Sequence, residues 1–442
     1  MTGTAIPASA WSNLVRKNTS DGSTQNDKKI DFTKSNGKSL KAGSSSSWTG
    51  TLDAPEAGTY WVNLQLLGAT GSLSIDGKTV ASGSARYGAL HATDGNGPLP
   101  TTDALANFRG SVTLTAGTHT VAVTETADAS NAPVQVRVAW VTPSQQQANR
   151  DDAVQAAKKA SVAVVFAWAS ASTDLSSPLA EGQDQLISDV AAANPNTVVV
   201  LNSSQPVAMP WLSKVKSVLE MWYPGDRGGY ATANVLTGAV NPGGKLPFTW
   251  PASLDQEVAH QASHPERSSA GTGAQCPGFS GFATPWACAK TTYSEGVNVG
   301  YRFYIANNET PLYPFGYGLS YGSSFAYSGL QTATAKDGGE TVSFKVTNTG
   351  AKTADAVPQV YLGAPTTVPS GAQFAPKALA GYDRITLGAG QSKTVSIHIP
   401  LRQLQYWSTT AGWTTAVGAR SLFVSTNATT DVLQQVITVS AG

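Results

Sequence analysis

The chain has 442 residues, enough for roughly three domains at about 100–200 residues each. A net charge of +1 with 13% charged residues, and no basic block, excludes the dense Lys and Arg that nucleic acid or an anionic membrane surface requires. Apolar content of 41% with 11 Trp and 14 Tyr suffices for packed cores, and no apolar run is long enough to span a bilayer.

Residues 1–145 read as all-β. The opening MTGTAIPASAW lacks a basic stretch followed by an apolar core, so no signal peptide is read there. Short alternating segments follow at 58–68, 71–82, 110–126 and 133–143, each bounded by Gly, Asp or Pro. Alternation puts Val121 and Val123 on one face and Val134, Val136 and Val138 on another, as two packed sheets require. Asp76-Gly77 predicts a hairpin turn.

Residues 146–255 change period. QQQANRDDAVQAAKKA is helical, and SVAVVFAW at 161–168 is a continuous apolar run of the kind a parallel strand buried on both faces shows. A helix near 181–193, a strand at 196–203 and a short strand at 217–222 follow. Strand and helix alternate, which predicts a largely parallel, doubly wound sheet. Ligands of such sheets lie beyond the carboxyl ends of the strands, so loops 169–180, 202–210 and 223–229 face the functional side.

The stretch EMWYPGDRGGYATANVLTGAVNPGGKLPFTWP, 220–251, has the most distinctive grammar. Pro224 and Gly225 end a strand, Gly228 and Gly229 lead into a helix expected at 230–238, and Gly238 stands where helices stop. A glycine-rich loop before a helix can hold an anion, but no GK[ST] ending follows, and a plain structural turn is the other reading. The order WYPG, GG, helix, NPGGKLPFTWP resembles the C-terminal α/β sandwich domain of glycoside hydrolase family 3, the β-glucosidases, β-xylosidases and relatives. YSEGVNVGYRFY at 293–304 and PLYPFGYGLSY at 311–321 resemble that family's segment leading out of the domain. Within it, Glu295 and Arg302 are expected either to form a buried ion pair or, for Glu295, to reach the cleft.

Two further stretches share the resemblance. SWTGTLDAPEAGTYWVNLQ, SIDGK, VTLTAGTHTVAV and VRVAW resemble the protective-antigen-type β-sandwich inserted in many family 3 glucosidases. That resemblance implies a module bordering the active-site mouth, with a plain spacer as the alternative. The all-β strings after 321, including ALAGYDRITLGAGQSKTV at 378–395, resemble the family's fibronectin type III-like domain, whose implied role is bracing. The expected fold is therefore multidomain α/β plus all-β: a protective-antigen-type β-sandwich at 1–145, a doubly wound α/β sandwich with a long connector at 146–320, and a fibronectin type III-like β-sandwich at 321–442. Cys276 and Cys288, in a polar Gly/Pro-rich part of the connector, can close a disulfide that suits an extracellular, secreted protein; two unpaired thiols are the alternative. No cofactor is expected, and no metal, since no His stands near the cysteines at ligand spacing.

Retaining glycoside hydrolysis uses two carboxyl groups about 5–5.5 Å apart. The resemblance implies an Asp nucleophile on a barrel that these 442 residues do not contain, so a barrel-bearing partner chain is expected beside the carbohydrate substrate. It also implies an acid/base Glu near Ser170, where no carboxylate stands. Asp174 and Glu181 are the nearest acids and the two catalytic candidates. For Glu181 the bland reading is a Glu favoured by the dipole in the first turn of a helix. Two functions remain: part of a β-glucosidase-like hydrolase, or a non-catalytic carbohydrate-binding or scaffold protein.

Overall fold

The computed structural model describes residues 3–85, 101, 105–169, 173, 175–264, 266 and 292–440. Cys276, Cys288 and Asp174 lie outside the described residues, and with them the expected disulfide. By contact the described residues divide into two compact units, one holding those up to 173 with 177–222, the other 175–176 with 223–440. The division at 222/223 cuts through the expected middle domain of 146–320.

The first unit begins with a two-sheet β-sandwich. One sheet has five strands, in the order Thr4–Ala5, Gln135–Val141, Gly58–Leu67, Ala106–Leu114, with Asp31–Phe32 beside Gln135–Val141. The other has six, from Thr24–Asn26 through Trp11–Asn18, Ser46–Ala54, Gly117–Ala127 and Ala69–Ile75 to Lys78–Ala85. Val121, Val123, Val134, Val136 and Val138 are all buried, with Trp48, Leu64 and Phe108 among them, so the alternation read in the sequence is the alternation of the core. Asp76 and Gly77 both have positive φ, 48° and 76°, which is the mirror-image turn that matches strand twist. The Asp76 carboxylate also accepts from the Thr120 amide at 2.9 Å and meets His119 Nδ1 at 2.6 Å, tying the turn to the adjacent strand.

Helix α1, Pro143–Lys159, follows directly. Thr142 caps it: its hydroxyl accepts from the Gln145 amide at 3.2 Å while Gln145 Oε1 accepts from the Thr142 amide at 2.9 Å, a reciprocal box with Pro143 at the first helical position. Three parallel strands, Ala163–Trp168, Thr197–Asn202 and Ser217–Glu220, form a sheet in sequence order, with helix α2, Gln183–Ala193, between the first two. Ala157, Ala163 and Val190 make a small core with Val165 and Leu186, so both helices lie on one face of this sheet.

The strand Ala163–Trp168 departs from expectation. It is an edge strand, and Val162, Val164 and Phe166 are exposed at 51%, 41% and 54%. Within this unit, the run read as buried on both faces is covered on one.

In the second unit, helix α3 spans Gly228–Leu236, with Gly238 just beyond it at φ +75°. A Cβ on Gly228 would stand 2.5 Å from the Pro224 ring, so glycine is required where the chain turns into this helix. After the turn at 241–244, Trp250 and Tyr313 form an isolated antiparallel bridge, joining 246–250 to 313–317. Glu295 is buried, while the Arg302 Nε donates to the Val299 carbonyl at 3.4 Å. The remaining strands pack a second sandwich: Phe325–Thr334, Glu340–Asn348 and Ser392–Ile399 in one sheet, and Lys377–Tyr382, Gln359–Pro365, Gly418–Asn427 and Thr430–Val439 in the other. Val342, Phe344, Val360, Leu362, Leu422 and Val424 fill its core.

Candidate active site

The carboxyl ends of the three parallel strands are Trp168, Asn202 and Glu220. Local side chains fix the chain that leaves them. Gln183 clamps Trp168, its Nε2 donating to the Trp168 carbonyl at 2.9 Å and its Oε1 accepting from the Trp168 amide at 2.8 Å. Asp184 accepts from the Leu179 amide at 2.9 Å and from the indole N–H of the buried Trp211 at 2.7 Å. Gln205 Nε2 donates to the Thr173 carbonyl at 2.8 Å. The loop expected to carry the chemistry is thus tethered at Thr173 and at Leu179.

Glu181 does not sit in the first turn of a helix. It lies in the short turn Ala180–Gly182 with φ 63°, and Gly182, also left-handed at φ 67°, is the N-cap of α2, whose first turn holds Asp184 instead. A left-handed non-glycine residue costs on the order of 1–3 kcal/mol unless its surroundings hold it. Here the holder is Arg109, which forms an ion pair with the Glu181 carboxylate from the strand Ala106–Leu114.

Arg109 belongs to a buried polar row on the outer face of the five-stranded sheet. Its Nε donates to Asn63 Oδ1 at 3.0 Å, Asn107 Nδ2 donates to the same oxygen at 3.2 Å, and Gln65 Nε2 donates to Asn107 Oδ1 at 2.9 Å. Arg137 Nε extends the row to Gln65 Oε1 at 2.5 Å. Asn63, Gln65 and Asn107 would read as a solvent face in an alternating strand, yet all three are buried. Buried amides and guanidinium groups are kept in such a row because each satisfies its neighbours' hydrogen-bonding groups.

Glu220 is a half-buried acid at the end of the last parallel strand that the sequence reading passed over. Its carboxylate accepts from the Trp222 amide at 2.7 Å and from Ser203 Oγ at 3.3 Å. Burial pushes its carboxyl up to about 7, against the opposing pull of those hydrogen bonds. Trp222, which it holds, has φ 53°. Glu220 therefore fixes the exit from the last strand into the WYPG turn. The cue was local: a single acid inside the apolar run SVLEMW.

A family model described as the glycosyl hydrolase family 3 C-terminal domain matches residues 28–321, and a fibronectin type III-like domain model matches residues 356–428. Beta-glucosidase B of Emericella nidulans is 37% identical over 284 residues, 61% of this chain and 32% of that protein. Probable beta-glucosidase J of Neosartorya fischeri is 32% identical over 376 residues, 80% of this chain and 40% of that protein. Among solved structures, DesR, a beta-glucosidase from Streptomyces venezuelae in complex with D-glucose, is similar over 99% of this chain and 49% of its own, with a TM-score of 0.74 and 32% identity. The chain spans less than half the length of each of these relatives.

Proposed function

Since the chain belongs to glycosyl hydrolase family 3, we propose that it is the C-terminal part or subunit of an enzyme that hydrolyses β-glucosides or related glycosides. In this reading the enzyme works by the two-step retaining route, and the attacking carboxylate comes from a barrel-bearing chain. The observation that carries the partner is the exposed apolar edge at Val162, Val164 and Phe166, in a sheet that leaves one face of its first strand open. The polar row ending at Arg109 supports a bordering role for the first sandwich at the sugar site. An expected disulfide between Cys276 and Cys288 goes with a secreted enzyme.

The proton donor in this reading is Glu181 or Asp174. With Glu181 as donor, Glu181→Gln lowers turnover by roughly 10²–10⁴-fold. Unchanged kinetics assign the role to Asp174 or to the partner. A second reading, a non-catalytic carbohydrate-binding or scaffold protein, is favoured by one observation: the Glu181 carboxylate is already engaged by Arg109. An aryl β-glucoside assayed with this chain alone and with a barrel-bearing chain separates the two. Turnover only in the mixture supports the hydrolase, and saccharide binding without turnover in either supports the second reading. Turnover at ordinary enzymatic rates by this chain alone removes the partner.

A further inference from the structure

The last sandwich carries a two-stranded hairpin, Gln405–Ser408 with Gly412–Thr415, that pairs with no other strand among the described residues. Trp407 and Trp413 face each other across it, rings 5.5 Å apart and inclined at 74°, and both are exposed, at 61% and 49%. Arg402 lies 4.0 Å over the Trp413 ring, so a cation occupies one face of that indole. Among the described residues no cation lies over Trp407, and its edge rests beside Gly412, where a Cβ would stand 3.8 Å away. Ser408 Oγ accepts from the Thr410 and Ala411 amides at 3.3 and 3.2 Å, so the turn that presents the rings is itself held.

We propose that this hairpin is a non-catalytic binding surface for a neutral β-linked glucan, with Trp407 as the stacking platform. Residues 405–418, QYWSTTAGWTTAVG, contain no charged side chain and carry the hydroxyls of Ser408, Thr409, Thr410, Thr414 and Thr415 on the same short segment as the two indoles. An aromatic plane matches the C–H face of a pyranose, and hydroxyls match its rim. Arg402 is the cation recorded beside the rings, a single charge and too little for a polyanion, and the aliphatic side chains of the segment are Ala411, Ala416 and Val417. The choice of a glucan as ligand rests on the saccharide reading above, whereas the platform itself does not.

Affinity electrophoresis of the 442-residue protein through gels containing hydroxyethylcellulose or laminarin tests this without any partner chain. The wild type is retarded, Trp407→Ala binds roughly tenfold more weakly, and Trp407→Tyr, which keeps a ring, stays within about threefold. Melting temperatures measured alongside remain near wild type, and Trp407→Ala leaves aryl-glucoside turnover of the mixed enzyme unchanged. The proposal is overturned by an unretarded wild type, by a Trp407→Ala variant retarded like wild type, or by loss of retardation only where the melting temperature collapses in both variants. Protection of the indole from acrylamide quenching by the barrel-bearing chain but not by glucan also overturns it. Failure of turnover in the mixture sinks the hydrolase reading and leaves this binding measurement intact.

Discussion

Phe166 and Val200 are register neighbours in adjacent parallel strands, AVVFAW and TVVVLN, so their side chains share one face of the same sheet. Val200 is 0% exposed and Phe166 is 54% exposed. Two strands of nearly equal apolarity thus meet opposite surroundings within one unit. The apolar run records what the strand is built to have against it, and the edge position decides whether this chain supplies that cover.

The sharpest way to break the comparison is to place the same charge on both strands. Val200→Asp buries an unpaired carboxylate and is expected to cost about 4 kcal/mol or more, read as a collapse of the urea midpoint. Phe166→Asp is expected to change stability by less than about 1 kcal/mol in this chain alone, yet to abolish co-elution with a barrel-bearing chain on gel filtration. Equal destabilisation by the two would show that the edge is covered by the chain itself.

A smaller effect is expected where the sheet hands over to its loops. Asp184→Ala strands the indole N–H of fully buried Trp211 and frees the Leu179 amide, a loss of about 1–3 kcal/mol by urea titration. A loss near zero would mean that the tether seen at Leu179 does not hold the loop.

The most gradual expected effect is proton-linked. Burial raises Glu220 and Glu125 to about 7 from an ordinary 4.5, so the fold favours their neutral forms. Their stabilising contribution is full below about 4.5 and is lost as pH rises through about 7. Each is expected to contribute up to about 3 kcal/mol of this fall. Glu125, 2% exposed and facing into the first sandwich, and Glu220, on the last parallel strand, report on different regions. Glu125→Gln and Glu220→Gln should each flatten part of the stability profile between pH 4.5 and 8. A profile unchanged by either would remove that group from the linkage.

Much of the fold was legible because its causes are local. Val121 and Val123 alternate, Asp76-Gly77 fits one turn type, and Gly228 is forced by Pro224 four residues earlier. The candidate site was less legible because its causes are distant. Glu181 finds its partner in Arg109, 72 residues upstream (181 − 109 = 72), and is held left-handed by that pair rather than placed by a helix dipole. Asn63 and Gln65 alternate as solvent-facing residues do, and only pairing with the strand Ala106–Leu114 brings Asn107 and Arg109 against them. Glu220 was passed over because burial, which gives the carboxyl its character, is set by the whole unit.

The Gln183 clamp has a consequence for self-association. Ala163 and Ala169 donate inward, to Asn196 and Asn202, so alternation turns the amides of Val164, Phe166 and Trp168 outward along the rim of the sheet. Gln183 satisfies the last of these from within the chain. Only two residues' worth of ladder is left for a newcomer, too short to template endless stacking of copies, so docking there must depend on fitted side chains more than on backbone zippering.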